Sequence, residues 1–204
     1  MLTLDHIAIA TSDLAQGTAW AETAFGVPLA PGGEHKEMGT HNRLLSLGPK
    51  EYLEVIGINP GAPAPDQPRW FDLDNFTGPT RPKTWICRTP DLDAAIAAAP
   101  AGIGVPWLLA RSDLRWKMAV PRDGKLPFDG LFPALIEWQG EAHPAPRLPD
   151  RDIRLTGLTL AHPEAGALAA ALTPLLSDPR IEIIRAETPS LSARFATPDG
   201  PLTL

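Results

Sequence analysis

The first sixty residues change from a strand-like to a helix-like hydrophobic pattern and back again. In LDHIAIAT (4–11) apolar side chains dominate at strand spacing, which is typical of a buried strand. The segment 13–26 places its larger apolar residues at helical spacing, with Asp13 as the start signal and Gly26 as the stop. Two or three strand-like runs follow, at 32–40, 41–48 and 51–58. The pattern predicts the order strand, helix, strand, strand, strand.

The same order returns in the next part of the chain. KTWICRT (83–89) is strand-like, DLDAAIAAA (91–99) is helix-like with Asp91 as its cap, and two or three strands follow up to residue 140. Aligning the two Asp-Leu helix starts also brings YLEVIG near ALIEWQ, so that Glu54 corresponds to Glu137. The chain therefore contains an internal repeat.

A third, shorter unit ends the sequence. Residues 153–204 read as strand, helix, strand, strand, and the last strands carry no glutamate in the place of Glu54. We therefore predict an α+β fold, with two paired βαβββ units, at about 2–58 and 83–140, forming a curved mixed sheet with its helices outside. Residues 1–149 form one domain in this prediction, and 150–204 pack on it as an appended βαββ unit.

Composition narrows the possible partners. The 204 residues carry a net charge of −6 without a run of basic side chains, which argues against a nucleic-acid partner. No apolar stretch is long enough for a bilayer and no leader precedes the first strand, so we expect a cytoplasmic protein with no membrane partner. The single cysteine, Cys87, excludes an internal disulfide and is expected to be a buried apolar residue. A homodimer is possible.

The repeat and its motifs resemble those of the vicinal oxygen chelate superfamily. A histidine on the first strand, His6, and a glutamate on the last strand of a unit are features of that superfamily, which includes glyoxalase I, extradiol dioxygenases and methylmalonyl-CoA epimerase. The stretch 30–60 further resembles a glyoxalase-like subgroup marked by GG-x-H, G-T-x-N and Y-L-E. The resemblance covers about residues 2–140.

The resemblance implies a metal site on the concave face of the sheet. Its ligands here would be His6, Glu54 and Glu137, while Thr84 stands at the fourth position, where threonine is a poor ligand. Three ligands with an open position suit a catalytic divalent metal ion, but a site that has lost its metal would look the same. The glutamates could instead form structural ion pairs with Arg43 or Lys117.

The sequence offers further candidate residues for catalysis and for substrate binding. We predict His35 and Glu137 as catalytic residues, because an imidazole or carboxylate beside a metal can move protons. The predicted substrate-binding residues are His41, Asn42, Arg43, Trp70 and Phe71. For the histidines and Asn42 an ordinary turn role competes with function, and the aromatic side chains could simply anchor the long 60–82 loop.

Two functions remain open from the sequence. One is a metal-dependent lyase, isomerase or dioxygenase that acts on a small oxygenated molecule. The other is a protein that only binds or sequesters a small molecule, which the threonine at the fourth ligand position favours.

Overall fold

The first two units have the predicted order of elements. A computed structural model describes residues 1–204. The first unit consists of β1 (Thr3–Ala10), α1 (Leu14–Phe25), β2 (Ala30–His35), β3 (Thr40–Ser46) and β4 (Tyr52–Ile58). The second consists of β5 (Arg81–Arg88), α2 (Leu92–Ala98), β6 (Val105–Arg111), β7 (Leu114–Val120) and β8 (Ala134–Trp138).

The caps predicted for the first two helices are present. The Asp13 carboxylate accepts a hydrogen bond from the backbone N–H of Gln16 at 2.8 Å, and Asp91 accepts one from Ala94 at 2.9 Å. Gly26 ends α1 with φ 69°, a left-handed conformation that favours glycine. These contacts satisfy backbone groups that the ends of a helix leave free.

The two units form one mixed sheet of eight strands in the order β2-β3-β4-β1-β5-β8-β7-β6. The units meet where β1 pairs antiparallel with β5, and the last strand of each unit lies parallel to its first. The sheet curls until the two edge strands approach each other. A Cβ atom built at Gly33 of β2 would lie 2.6 Å from Cδ of Arg111 on β6. The predicted α+β fold with a curved mixed sheet is confirmed.

A β-bulge interrupts the β1–β5 ladder at each end. Leu4 pairs with Cys87 and His6 with Ile86, which leaves Asp5 as an extra residue on β1. The pairing of Ala8 with Thr84 and of Ile9 with Pro82 leaves Lys83 as the extra residue on β5. A bulge bends its strand and redirects the neighbouring side chains. Asp5 and Lys83 occupy equivalent places in the repeat, since each lies eight residues before the aspartate that caps its helix.

The C-terminal unit has a different topology from the first two. It contains β9 (Arg154–His162), α3 (Ala165–Leu172), β10 (Ile181–Arg185), β11 (Ser190–Thr197) and β12 (Gly200–Thr203), which form a separate sheet in the order β10-β9-β11-β12. Three strands follow the helix, not two, because a turn at Gly200 (φ 118°) divides the last predicted strand. The strand β10 pairs directly with β9, so this unit is not a shortened copy of the others.

The C-terminal unit shares the main hydrophobic core. Leu168, Leu172 and Phe195 are buried, and the Phe195 ring meets the Phe25 ring edge-on with centroids 5.1 Å apart. The backbone N–H of Leu2 also donates to the carbonyl of Leu175 at 2.8 Å. No helix is both long and apolar enough to span a bilayer.

Candidate functional site

The concave face of the eight-stranded sheet contains a cleft with a polar floor and aromatic walls. The first unit contributes His6, Tyr52 and Glu54 to the lining, and the second contributes Arg111, Trp116 and Trp138. Trp70 and Phe71 come from the segment between the two units. The cleft therefore depends on both halves of the repeat.

The side chains of Asp5, His6 and Glu54 lie in a row at the floor of the cleft. His6 donates from Nδ1 to Oδ1 of Asp5 at 2.7 Å, and its Nε2 lies 3.7 Å from Oε2 of Glu54. Neighbouring residues in a regular strand point to opposite faces, so the bulge at Asp5 is what allows Asp5 to reach the histidine beside it. The Tyr52 ring stacks on the imidazole with centroids 4.3 Å apart. The ring of His6 is thereby fixed with Nε2 towards the cleft.

Asp5 is a fully buried carboxylate that several donors surround. Besides His6, Trp138 Nε1 and His143 Nε2 each lie 3.0 Å from Oδ2, and an Arg88 nitrogen lies 3.4 Å from it. Burial would raise the pKa of Asp5, but the hydrogen bonds from His143 and His6 outweigh it and hold the pKa well below its usual range. Asp5 is therefore ionised and orients His6.

The other two groups of the row stabilise each other's charged forms. Burial would lower the pKa of His6, but the hydrogen bond with Asp5 and the neighbouring Glu54 raise it above the ordinary value. Burial would raise the pKa of Glu54, and the contact with His6 outweighs this, so the pKa falls to about 2. The shifts therefore favour the imidazolium form of His6 between the two carboxylates of Asp5 and Glu54.

The GG-x-H and G-T-x-N motifs form one hydrogen-bonded unit beside this row. Asn42 donates from Nδ2 to Oε1 of Glu54, while its Oδ1 accepts from the backbone N–H of Gly33 at 2.8 Å. A Cβ at Gly32 would collide with Oδ1 of Asn42. His35 Nδ1 lies 3.0 Å from the Thr40 hydroxyl. The glycines allow β2 to approach Asn42 closely, and Asn42 in turn orients Glu54.

Arg111 reaches this unit from the other end of the sheet. One of its guanidinium nitrogens lies 3.2 Å from Oδ1 of Asn42 and 3.2 Å from Nε2 of His35. Burial lowers the pKa of His35 to about 4, so its imidazole is neutral at pH 7. Since the guanidinium can only donate, Nε2 of His35 accepts and Nδ1–H donates to Thr40. His35 thus orients Arg111.

Aromatic side chains narrow the cleft. Trp70 and Phe71 are both 4% exposed, and their rings stack with centroids 5.4 Å apart. The free space in the cleft is about 30 Å³, enough for one or two water molecules. Phe71 and Asp72 have φ of 60° and 55°, which is a strained conformation for residues with a side chain.

Glu137 does not line this cleft, so the structure does not bring it together with His6 and Glu54 as the predicted metal site required. Its carboxylate faces α2, where it accepts from the backbone N–H of Leu92 at 2.7 Å and pairs with Lys117 at 3.4 Å. Its neighbours Ile136 and Trp138 face the cleft instead. The ion pair with Lys117 was the alternative that the sequence left open.

The residues present do not fit the divalent metal ion that the resemblance implies. In the first unit Glu54 pairs with Ala8 of the first strand. In the second unit the residue equivalent to Ala8 is Ile86, and it pairs with Ala134. An alanine therefore occupies the place where a second glutamate would lie. Thr84 donates its hydroxyl to the carbonyl of Gly130 at 3.0 Å. Only His6 and Glu54 of the predicted ligands lie together, and no group of three or more His, Cys, Asp or Glu could hold an ion.

The predicted substrate-binding residues divide between the two faces. Asn42, Trp70 and Phe71 line the cleft. His41 and Arg43 flank Asn42 on β3, and because side chains alternate along a strand they lie on the other face. The structure does not bring these two residues to the cleft.

Sequence reasoning missed Asp5, Arg111 and Trp138. The alternation within WLLARS gave no reason to prefer Arg111 over other surface arginines. Asp5 precedes His6 in the sequence, but their side chains are in contact only because of the bulge. The two glycines of GG-x-H were a usable signal, since adjacent glycines within a strand indicate a close approach of another group.

The paired βαβββ units and the cleft on their concave face define a protein of the vicinal oxygen chelate superfamily. The chain belongs to the glyoxalase-like domain family, whose model matches residues 4–176. The match continues from the first two units into the C-terminal one. No curated protein matches the chain in sequence.

Three solved structures illustrate what this chain is similar to. A hypothetical protein from Staphylococcus aureus is 12% identical, with a TM-score of 0.62 over 93% of this chain and 88% of the other. A methylmalonyl-CoA epimerase variant from Streptomyces coelicolor, in complex with 2-nitronate-propionyl-CoA, is 18% identical, with a TM-score of 0.45 over 67% and 98%. The methylmalonyl-CoA epimerase from Mycobacterium tuberculosis is 19% identical, with a TM-score of 0.41 over 66% and 85%. At 12% identity the likeness to the Staphylococcus aureus protein concerns the fold alone.

Proposed function

We propose that the protein is an isomerase or lyase that transfers a proton at a carbon atom next to the carbonyl or carboxyl group of a small oxygenated substrate. The observation that carries this proposal is the row of Asp5, His6 and Glu54 at the floor of an apolar cleft. A base and an acid lie side by side there, and Asp5 fixes the orientation of the acid.

Each group has a defined part in such a reaction. Glu54 accepts the proton from carbon, and the electron pair of the broken C–H bond moves to the carbonyl to form an enolate. The Arg111 guanidinium stabilises the negative charge on the enolate oxygen. His6 then donates the proton on Nε2 to the enolate, and the neighbouring Glu54 returns a proton to His6.

The electrostatics of the cleft set a condition on the substrate. With a pKa of about 2, Glu54 is a weak base while it faces His6. A substrate carbonyl that enters the cleft expels water and competes for His6, so the pKa of Glu54 rises on binding. Arg111 also favours a substrate that carries a carboxylate.

His35 is assigned a positioning role in this proposal. The sequence offered it as a candidate carrier of protons, but a pKa of about 4 leaves it neutral at pH 7. Both of its nitrogens are engaged, by Thr40 and by Arg111. It therefore holds the guanidinium in place.

Solvent exchange tests the proposal directly. We expect the wild-type protein to catalyse deuterium incorporation from D₂O into at least one member of a panel of small 2-oxo, 2-hydroxy and malonyl-type acids, followed by NMR. Glu54→Gln and His6→Asn should each slow the exchange by about 10²-fold or more. Glu137→Gln, which changes a glutamate outside the cleft, should exchange at the wild-type rate. Exchange that Glu54→Gln leaves unchanged would contradict the proposal.

A second candidate is a protein that binds a small molecule without changing it. The aromatic walls favour it, because Trp70, Phe71 and Trp116 offer apolar area without chemistry. In that case ligands should raise the melting temperature of the wild type and of Glu54→Gln equally, and no exchange should occur.

A further inference from the structure

A second cavity lies on the other side of Phe71 from the cleft. It has a free space of about 260 Å³ and opens between the segment Trp70–Asn75, the start of β5 and the segment 125–130. Its polar lining consists mainly of Lys83, Lys125, Asp72 and Asp129. Nothing in the proposed proton transfer uses these residues.

The acidic side chains in this cavity have close partners, whereas the basic side chains do not. Asp72 accepts from Asn75 Nδ2 at 2.7 Å, and Asp129 lies 3.1 Å from Nε2 of His162. Lys83 and Lys125 have no such partner, and Lys117 is the one lysine of the chain in an ion pair. The cavity thus presents two free ammonium groups, while its two carboxylates already have neighbours.

The walls of the cavity are held in place by bonds between the segments. The Thr84 hydroxyl donates to the carbonyl of Gly130 at 3.0 Å, and the backbone N–H of Asp72 donates to Gly124 at 2.8 Å. Asp72 and Asp129 both have φ of 55°. A strained backbone that its surroundings hold in this way is common at binding sites.

The position of Lys83 in the repeat gives an independent reason to assign it a role. Lys83 is the extra residue of the second bulge, as Asp5 is of the first. The first bulge turns Asp5 towards its neighbour at the floor of the cleft. The second turns Lys83 into the 260 Å³ cavity.

We propose that this cavity is a second binding site, which holds the oxyanion group of a small molecule, a carboxylate or a phosphate, between the ammonium groups of Lys83 and Lys125. Burial lowers the pKa of Lys83, and the charges of the nearby Asp72 and Asp129 offset this only in part. A bound oxyanion would supply the direct ion-pair partner that Lys83 lacks. Asp72 and Asp129 keep the total charge of the cavity near zero and so favour singly charged groups over multiply charged ones.

Calorimetric titration with inorganic phosphate and, separately, with glycolate tests this site. We expect saturable binding of at least one probe with a Kd of about 1 mM or tighter. Binding of phosphate alone or of glycolate alone identifies the preferred oxyanion. Lys83→Ala and Lys125→Ala should each weaken binding about tenfold or more, whereas Lys50→Ala, which removes an exposed lysine elsewhere, should leave the Kd unchanged. An equal loss in Lys50→Ala, or no saturable binding of either probe, overturns the proposal.

Chemical labelling of the wild-type chain gives a second readout if a lysine variant does not fold. Limited acetylation followed by mass spectrometry should show that a saturating probe slows modification of Lys83 and Lys125 by at least about threefold, but not that of Lys50. Equal rates with and without probe at Lys83 and Lys125 overturn the proposal. Because the deuterium exchange assay depends on Glu54 and His6, failure of one proposal does not imply failure of the other.

Discussion

Replacing Asp5 by asparagine tests the floor of the cleft most directly. The substitution keeps the shape of the side chain but removes its charge, and it replaces one of two accepting oxygens by a donating amide group. Three donors, from Trp138, His143 and Arg88, converge on Oδ2. The amide oxygen of asparagine must turn to them, which leaves the NH₂ group facing Nδ1 of His6.

The change reverses the tautomer of neutral His6. Its Nδ1 would accept from the new amide, so Nε2 would carry the proton, whereas with Asp5 the proton is held on Nδ1. The imidazolium loses the carboxylate that stabilised it, so the pKa of His6 should fall. Disrupting a buried charged pair costs about 3–5 kcal/mol. Because every donor except His6 keeps an acceptor, we expect about 3 kcal/mol.

Urea unfolding of the wild type and of Asp5→Asn at pH 7 measures this loss. An unfolding entropy of about 2.1 cal/mol/K per residue converts 3 kcal/mol into a fall of about 7 °C in the melting temperature. NMR titration should show the His6 resonance moving to a lower pKa. Asp93→Asn changes an exposed aspartate of α2 and should stay within about 0.5 kcal/mol of the wild type. A loss below 1 kcal/mol with an unchanged His6 pKa would refute the role given to Asp5.

Two further predictions concern other parts of the chain. The pKa of His35 is about 4 in the folded protein, below its ordinary 6.5, so its contribution to stability is present above pH 6.5 and is lost as the pH falls towards 4. The loss is about 3 kcal/mol, and His35→Gln should remove it; unfolding curves at pH 7 and 4.5 that fall equally in both proteins would contradict this. Ending the chain after Pro149 should give an insoluble or much less stable product, because Leu168 and Leu172 are buried in the shared core. A soluble truncation with an unchanged melting temperature would show that the C-terminal unit is dispensable.

The fold followed from the sequence because its signals are local. The Asp-Leu helix starts recur with the same spacing, and the strand runs are bounded by glycine and proline. The C-terminal unit was harder, because which strand lies beside β9 depends on packing against the rest of the core. Nothing in the local pattern of 153–204 distinguishes β10 next to β9 from the arrangement of the first unit.

The site was only partly predictable, since it depends on register. The sequence alignment matched Glu54 with Glu137, whereas the residue that occupies the place of Glu54 in the second unit is Ala134. The two positions differ by three residues, and a shift by an odd number places a side chain on the opposite face of the sheet. The bulge at Asp5 likewise changes the direction of a side chain, here by inserting one residue, and no sequence pattern predicted it. His6, Glu54 and Asn42 could be found because each lies in a short motif that resembles the pattern of the family.

The narrowness of the cleft has a consequence for how fast and how tightly a ligand binds. Free space of about 30 Å³ is too small to hold an organic molecule, so a ligand that fills the cleft needs a conformation in which lining residues such as Trp70 or Phe71 have moved aside. If this conformation makes up about 1% of the population, the measured affinity is about a hundredfold weaker than the contacts in the bound state would give. The observed association rate would then level off at high ligand concentration, at the rate of opening. A substitution that relieves the left-handed backbone at Phe71 could change the affinity without touching the ligand.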